Sequence, residues 1–300
     1  MALWVWLAIG AAVTQAIRSA LQKSLVADLG NIGASLVRFS YAIPFAWSMV
    51  LGYSWLSGQS MPTVTLGFLG WLSIAGLFQI IFTILLVTMF SHRSFAVGAA
   101  FSKTEVIQAA LFEAMIIGYI VGAQVGLAII LGVVAVFFLS VAKSQLSMRN
   151  VVQSLFTKQA AIGIASGAAL GFCTVAFRAA IDALEDGDLL VRAGLAGAVA
   201  VVIQTAALSG WMWVRARPEL IASFVQWRRA WKVGCAGAIC TALWFCAFTL
   251  HAVAPVRAVG QIELLIALGI SYFYFRETPT GREVIAMLLL ATSIIMVLLG

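Results

Sequence analysis

Charge is what this sequence has least of. Of its 300 residues only 10% are Asp, Glu, Lys or Arg, while 63% are hydrophobic, and the mean hydropathy is +1.07. A soluble globular domain carries roughly a quarter charged and about half apolar residues, so that class is excluded. The apolar content also excludes intrinsic disorder. The 18 basic and 11 acidic residues leave a net charge of +7. These cations are spread along the chain rather than gathered on one soluble face, which argues against a nucleic-acid partner. Cysteine is equally uninformative as chemistry. Cys173, Cys235, Cys240 and Cys246 sit in apolar runs, form no CxxC pair and lack the His and carboxylate neighbours of a metal site. They read as small buried hydrophobes, and neither metal nor cofactor is implied. No GxxxxGK[ST] loop is present to cradle ATP phosphates, and no HExxH helix or Ser-His-Asp cluster supports proteolysis. The chain is not expected to be an enzyme.

What remains is apolar length. A bilayer core about 30 Å thick takes roughly 20 helical residues to cross. A β-barrel would alternate apolar and polar residues, whereas these segments are apolar all round. Charges and turn residues divide the chain into ten expected spans: 3–22, 33–55, 66–90, 95–117, 121–141, 160–182, 189–213, 231–251, 255–275 and 283–299. From Phe39 to His92 there is no Lys, Arg, Asp or Glu, so that stretch is divided only by the polar break Ser57, Gly58, Gln59, Ser60 and Pro62. The first cation is Arg18, so the N-terminus lacks the basic region of a signal peptide and is expected to remain as the first span.

Loop cations assign a side. Lys23 follows the first span, Arg93 the third, and Lys143, Arg149 and Lys158 the fifth. Arg215, Arg217, Arg228, Arg229 and Lys232 follow the seventh, and Arg276 and Arg282 the ninth. The even-numbered connections and both tails hold none. The positive-inside rule therefore places the odd connections in the cytoplasm and both termini on the outer face of the cytoplasmic membrane.

The chain also repeats itself at an offset near 160. TQAIRSAL from Thr14 matches TVAFRAAI from Thr174, pairing Thr14 with Thr174 and Arg18 with Arg178. LVR ending at Arg38 matches LVR ending at Arg192, Trp71 matches Trp231, and Glu105 matches Glu263. Each copy holds five spans, an odd number, so the second copy enters the membrane upside down. That is the inverted-repeat design of many secondary transporters, with the substrate site near midplane between the copies. The expected architecture is an all-α membrane protein of ten transmembrane helices in two inverted five-helix repeats, 1–145 and 161–300, joined by a cytoplasmic connection at 146–160.

Ten short spans in two halves, with the ninth ending IELLIALGISYFYFRETPTGRE from Ile262, resemble the drug/metabolite transporter superfamily and its EamA-like branch. That branch commonly has a Glu-Pro pair in the ninth span and a second Glu about fourteen residues later. Glu263 and Glu277 match the two carboxylates, while Leu264 replaces the proline. In the first half Glu105 matches, Val106 follows it, and Tyr119 stands where the second Glu would be. The resemblance implies export rather than import, and it implies cytoplasmic termini. The cation distribution points the other way, and we follow the cations.

An ionised side chain at midplane costs about 2.5 to 3.5 kcal/mol on insertion scales, so each one is a functional candidate. Glu105 and Glu263 lead: they suit either a substrate amine or proton coupling. The plainer alternative is that cations such as Lys103 or Arg38 hold them. Arg18 and Arg178 suit a substrate carboxylate, although Arg18 lies near a span end and Asp182 stands four residues after Arg178. Thr14, Gln15 and Thr174 lie beside these arginines and either line a polar cavity or bond between helices. Glu113 shares a helical face with Glu105 and is a candidate second proton site. Arg38 and Arg192 read as structural or headgroup contacts, Trp244, Phe245 and Phe248 as packing, and His92 and His251 as interfacial. The expected function is a secondary transporter of a small polar or zwitterionic metabolite, for example an amino acid, working by alternating access as a monomer or homodimer in the lipid bilayer. The alternative is a non-transporting membrane protein, a lipid-handling enzyme or interaction subunit, on the same scaffold.

Overall fold

The computed structural model describes residues 2–90, 101–144, 158–273, 276 and 280–300. Arg93, His92, Arg149 and Glu277, the start of the fourth expected span and most of the 146–160 connection lie outside the described residues. Every described element is helical: α1 Leu3–Lys23, α2 Val26–Ser40, α3 Ala42–Ser57, α4 Leu66–Phe90, α5 Glu105–Ile116, α6 Ala123–Ser144, α7 Lys158–Asp182, α8 Leu189–Arg215, α9 Arg217–Val225, α10 Trp227–Leu250, α11 Val253–Gly260, α12 Ile262–Phe273 and α13 Gly281–Leu299.

Among the described residues, seven helical segments are long and apolar enough to cross a membrane: Leu3–Gln22, Val26–Ser57, Leu66–Leu85, Ala160–Asp182, Leu189–Arg215, Trp227–Leu250 and Gly281–Leu299. The protein is thus a multi-pass membrane protein, because helices that satisfy their own backbone are what such apolar surface requires in lipid. Large side chains such as Trp6, Leu66, Trp213 and Leu288 lie exposed on them, as lipid-facing positions do.

Local chemistry marks the helix ends. Asp188 caps α8, its carboxylate accepting from Leu190 N at 3.0 Å. Thr280 and Glu283 form a reciprocal capping box at the start of α13. Gly58, at φ 66°, ends α3 in the left-handed conformation. The expected second span begins earlier than its apolar run suggests, at Val26. It turns at Gly30, whose φ of 68° is one that side-chain-bearing residues rarely adopt.

Two compact units divide the chain, one of residues 1–76 and 176–251, the other of 77–175 and 252–300. Each combines two separate stretches of the sequence. In the first, α1 packs along α10, and α8 packs on α3 and α10. Gly234 lets α10 approach the junction of α2 and α3 closely: a Cβ there would fall 2.3 Å from the Tyr41 carbonyl carbon. In the second, α6 lies along α13 and α5 along α11. Ser293 on α13 donates to the Ala128 carbonyl of α6 at 2.6 Å, and its hydroxyl fills the space where Gly132 lacks a side chain. Gly167 and Gly171, one turn apart on α7, face the backbone around Ser102, Glu105 and Ala109, with added Cβ atoms 2.8 to 3.0 Å away. This is the close backbone approach that small residues permit in membranes.

Candidate functional site

The second unit holds the two leading acids. Near each, a helix is interrupted by a tighter turn with nearly the same dihedral angles, Thr104 at φ −65°, ψ −6° and Gln261 at φ −63°, ψ −7°. Helices α5 and α12 restart at these points, which puts Glu105 and Glu263 in the first turn of each. A helix N-terminus carries partial positive charge and unpaired N–H groups, so an acid is favoured there.

Both acids have cationic partners. Lys103 Nζ lies 2.8 Å from Glu263 Oε1, the side chains 26% and 19% exposed. Arg257 Nη2 donates to Glu105 Oε1, those side chains 11% and 5% exposed. The pairs cross between the ends of the sequence, each acid taking its cation from the other. They are electrostatically linked as well: Glu105 acts on Lys103, and Glu263 on Arg257. The four charges sum to zero, which lowers the cost of burying them together.

Glu113, buried at 2% exposure, accepts from the backbone N–H of Val253 at 2.6 Å and of Ala254 at 3.0 Å. It therefore closes the open N-terminus of α11. Glu105 and Glu113, eight residues apart on one face of α5, grip α11 at Arg257 and at its first turn respectively. The two helices consequently run antiparallel.

Arg18 and Arg178 lie in the first unit. Arg18 is 7% exposed, and its Nη1 reaches Cys240 Sγ at 3.7 Å. The thiol in turn faces the Ala11 carbonyl at 3.6 Å. One turn away, Trp244 Nε1 donates to Gln15 Oε1 at 3.1 Å, and near the other end Trp4 packs on the His251 ring at 4.3 Å. These contacts form a polar seam along α1 and α10. Arg178 pairs with Asp182 at 2.7 Å and donates to the His251 carbonyl at 3.3 Å. Arg192 donates twice to the Ile181 carbonyl, at 2.8 and 3.2 Å, at the end of α7. Trp244, Phe245 and Phe248 are buried.

The matched threonines behave alike. Thr14 Oγ1 donates to the carbonyls of Gly10 and Ala11, and Thr174 Oγ1 to those of Leu170 and Gly171. Both hydroxyls thus bond back onto their own helix. The first unit also contains a cavity of about 190 Å³ between α3, α8 and α10. Its walls are small and largely apolar, including Ala46, Val50, Gly194, Gly197 and Thr241, and the charged candidates do not line it.

Outside the spans, Asp186 accepts from Thr63 N at 2.8 Å and Thr63 Oγ1 at 2.9 Å. The Thr63 backbone N–H, with its hydroxyl second, holds this carboxyl below the usual carboxylate range. Among the described residues no cluster of His, Cys, Asp and Glu is arranged to hold a metal ion.

Sequence reasoning missed Arg257 and both helix interruptions. The available signal for Arg257 was its position as a cation inside the apolar run from Val253 to Phe273.

No family model and no curated protein matches the chain. Among solved structures, the crystal structure of a protein is similar to it at a TM-score of 0.69 and 15% identity, over 99% of this chain and 96% of the other. At that identity the likeness carries the fold alone.

Proposed function

We propose that the chain is a secondary transporter of the drug/metabolite transporter superfamily, in its EamA-like branch. Ten spanning helices in two inverted repeats of five move a small polar or zwitterionic metabolite, such as an amino acid, across the cytoplasmic membrane by alternating access, with export the favoured direction. The observation that carries this reading is the crossed pairing. Glu105 and Glu263, equivalent in the sequence repeat, each follow a helix interruption, and each is held by a cation from the other repeat. Interrupted helices that bring charge to the membrane interior are a recurring feature of transporter sites. Ion pairs between repeats supply links that a two-state cycle can break and remake, and a substrate amine or a proton would compete for the same carboxylates. Arg18, whose described partner is a thiol, is the better of the two arginines for a substrate carboxylate, since Arg178 has Asp182.

The mutual pairing of these charges favours a second reading, in which a non-transporting membrane protein uses them as structural clamps. Flux separates the two. Uptake of a substrate panel into vesicles, with and without a pH gradient, is compared for wild type, Glu105→Gln and Glu263→Gln. Transport lost in either variant supports the carrier, whereas unchanged flux in both removes the carboxylates from the mechanism. A reporter fused to the C-terminus tests sidedness, and an external signal supports termini on the outer face.

A further inference from the structure

The corner where α8 passes into α9 and α10 carries rings and cations used by neither the charge quartet nor the α1–α10 seam. Helix α9 holds to the protein by one side only. Leu220 packs with Leu36 and Met212, and the buried Ser223 hydroxyl donates to the Gly33 carbonyl of α2 at 3.4 Å. The other side, at helical spacing, presents Ile221, Phe224 and Val225, which are 54%, 53% and 71% exposed. Nine residues span about 14 Å of helix, less than half a bilayer core. A short helix with an outward apolar stripe, following directly on a spanning helix, belongs in the plane of the membrane interface.

At both ends of α9 an arginine lies over a tryptophan. The Arg217 guanidinium sits 4.5 Å from the Trp213 ring centre, and that of Arg228 sits 5.6 Å from the Trp227 ring. Both rings are more than half exposed. Tryptophan favours the headgroup level, and a guanidinium resting on a ring is held there while its N–H edge can still donate. Arg215, Arg229 and Lys232 add cations to the same connection, and among the described residues only Arg229 of the five forms an ion pair, with Asp28 at 2.8 Å. Positive charge therefore exceeds negative at a surface whose apolar part requires lipid.

We propose that this corner is a binding site for an anionic glycerophospholipid. Arg217 and Arg228, at the two ends of α9, each hold a headgroup phosphate, Trp213 and Trp227 brace the two guanidinium groups, and acyl chains lie against the stripe of Ile221, Phe224 and Val225 between them. The exposed apolar stripe beside the cations selects a lipid over free phosphate, and the excess cations select an anionic headgroup over a zwitterionic one.

The test uses the delipidated full chain in detergent, titrated with phosphatidylglycerol or phosphatidylcholine, with bound lipid counted by native mass spectrometry. Wild type should prefer phosphatidylglycerol, and Arg217→Gln/Arg228→Gln should lower that preference about tenfold or more, as loss of two cations near a headgroup implies. Arg217→Lys/Arg228→Lys should keep part of it, and Arg282→Gln, at another loop, should leave it intact. Equal binding of the two lipids overturns the proposal. So does a loss in Arg282→Gln equal per charge to that in the double variant, which would mean diffuse attraction. Displacement of the lipid by inorganic phosphate, but not by chloride at matched ionic strength, would assign the site to free phosphate and overturn it too.

Discussion

The crossed pairs differ in burial, and that difference sets an order of stabilities. Replacing Glu105 with Gln keeps the shape of the side chain but leaves Arg257, whose side chain is 11% exposed, facing an amide. Breaking a buried pair by removing one partner costs about 3 to 5 kcal/mol, whereas exposed pairs contribute about 1 kcal/mol or less. Glu263 still acts on Arg257, which brings the expected cost of Glu105→Gln to about 3 kcal/mol. The Lys103–Glu263 pair, at 26% and 19% exposure, is partly hydrated, and Glu263→Gln should cost about 1.5 kcal/mol. Removing both members of the buried pair, as Glu105→Gln/Arg257→Gln, leaves no stranded charge and should cost less than the two single changes summed, a coupling of about 1 to 3 kcal/mol. Equilibrium unfolding in mixed detergent micelles, followed by tryptophan fluorescence, measures all four variants. The reasoning fails if Glu105→Gln is no more destabilising than Glu263→Gln, or if the double variant equals the sum of its parts.

Other positions give sharper local outcomes. Glu113→Ala leaves two buried N–H groups of α11 without their acceptor and should destabilise by about 2 to 4 kcal/mol in the same assay, against under 0.5 kcal/mol for an exposed change. Gly171→Val would drive side-chain atoms into the Glu105 carbonyl and Ala109 N, 2.9 and 3.0 Å from the first added carbon, and should cost at least about 2 kcal/mol. Gly210, within α8 and with nothing within 4 Å of an added Cβ, should instead stabilise by about 0.5 to 1 kcal/mol as Gly210→Ala. Asp186 has a depressed carboxyl pKa in the folded chain. Its contribution is therefore present above the ordinary carboxylate value, near 3.9, and is lost as pH falls through the lower folded value. Melting temperatures recorded from pH 7 to pH 3 should fall less steeply at the acid end in Asp186→Asn than in wild type.

Long apolar runs made α1, α4, α7, α8 and α13 legible, because a helix that faces lipid on one side and protein on the other needs no polar face to declare itself. The same uniformity concealed the helix interruptions. No proline stands at Thr104 or Gln261, and a tighter turn at ψ near −7° leaves hydropathy unchanged, so a broken helix reads as a continuous one. Helix α9 was hidden differently. Its cations counted toward sidedness, and its apolar stripe of three residues was too short to register as a span.

For the site, sequence spacing found both acids on α5 but not what they hold. Glu105 and Glu113 share a face, as residues eight apart should, and that face meets α11. Arg257 stands six residues before Glu263, a spacing that would put the two on different faces of an uninterrupted helix, and its partner Glu105 is 152 positions away. The role of Glu113 depended on a helix end at Val253 that hydropathy could not mark. A buried carboxylate needs either a cation or a helix N-terminus, and for Glu105 and Glu113 these come from α11, far along the chain. Helical periodicity therefore locates such acids while their partners depend on tertiary packing. Wherever a repeat sets an acid in the middle of an apolar run, the cations of the opposite repeat are the first partners to test.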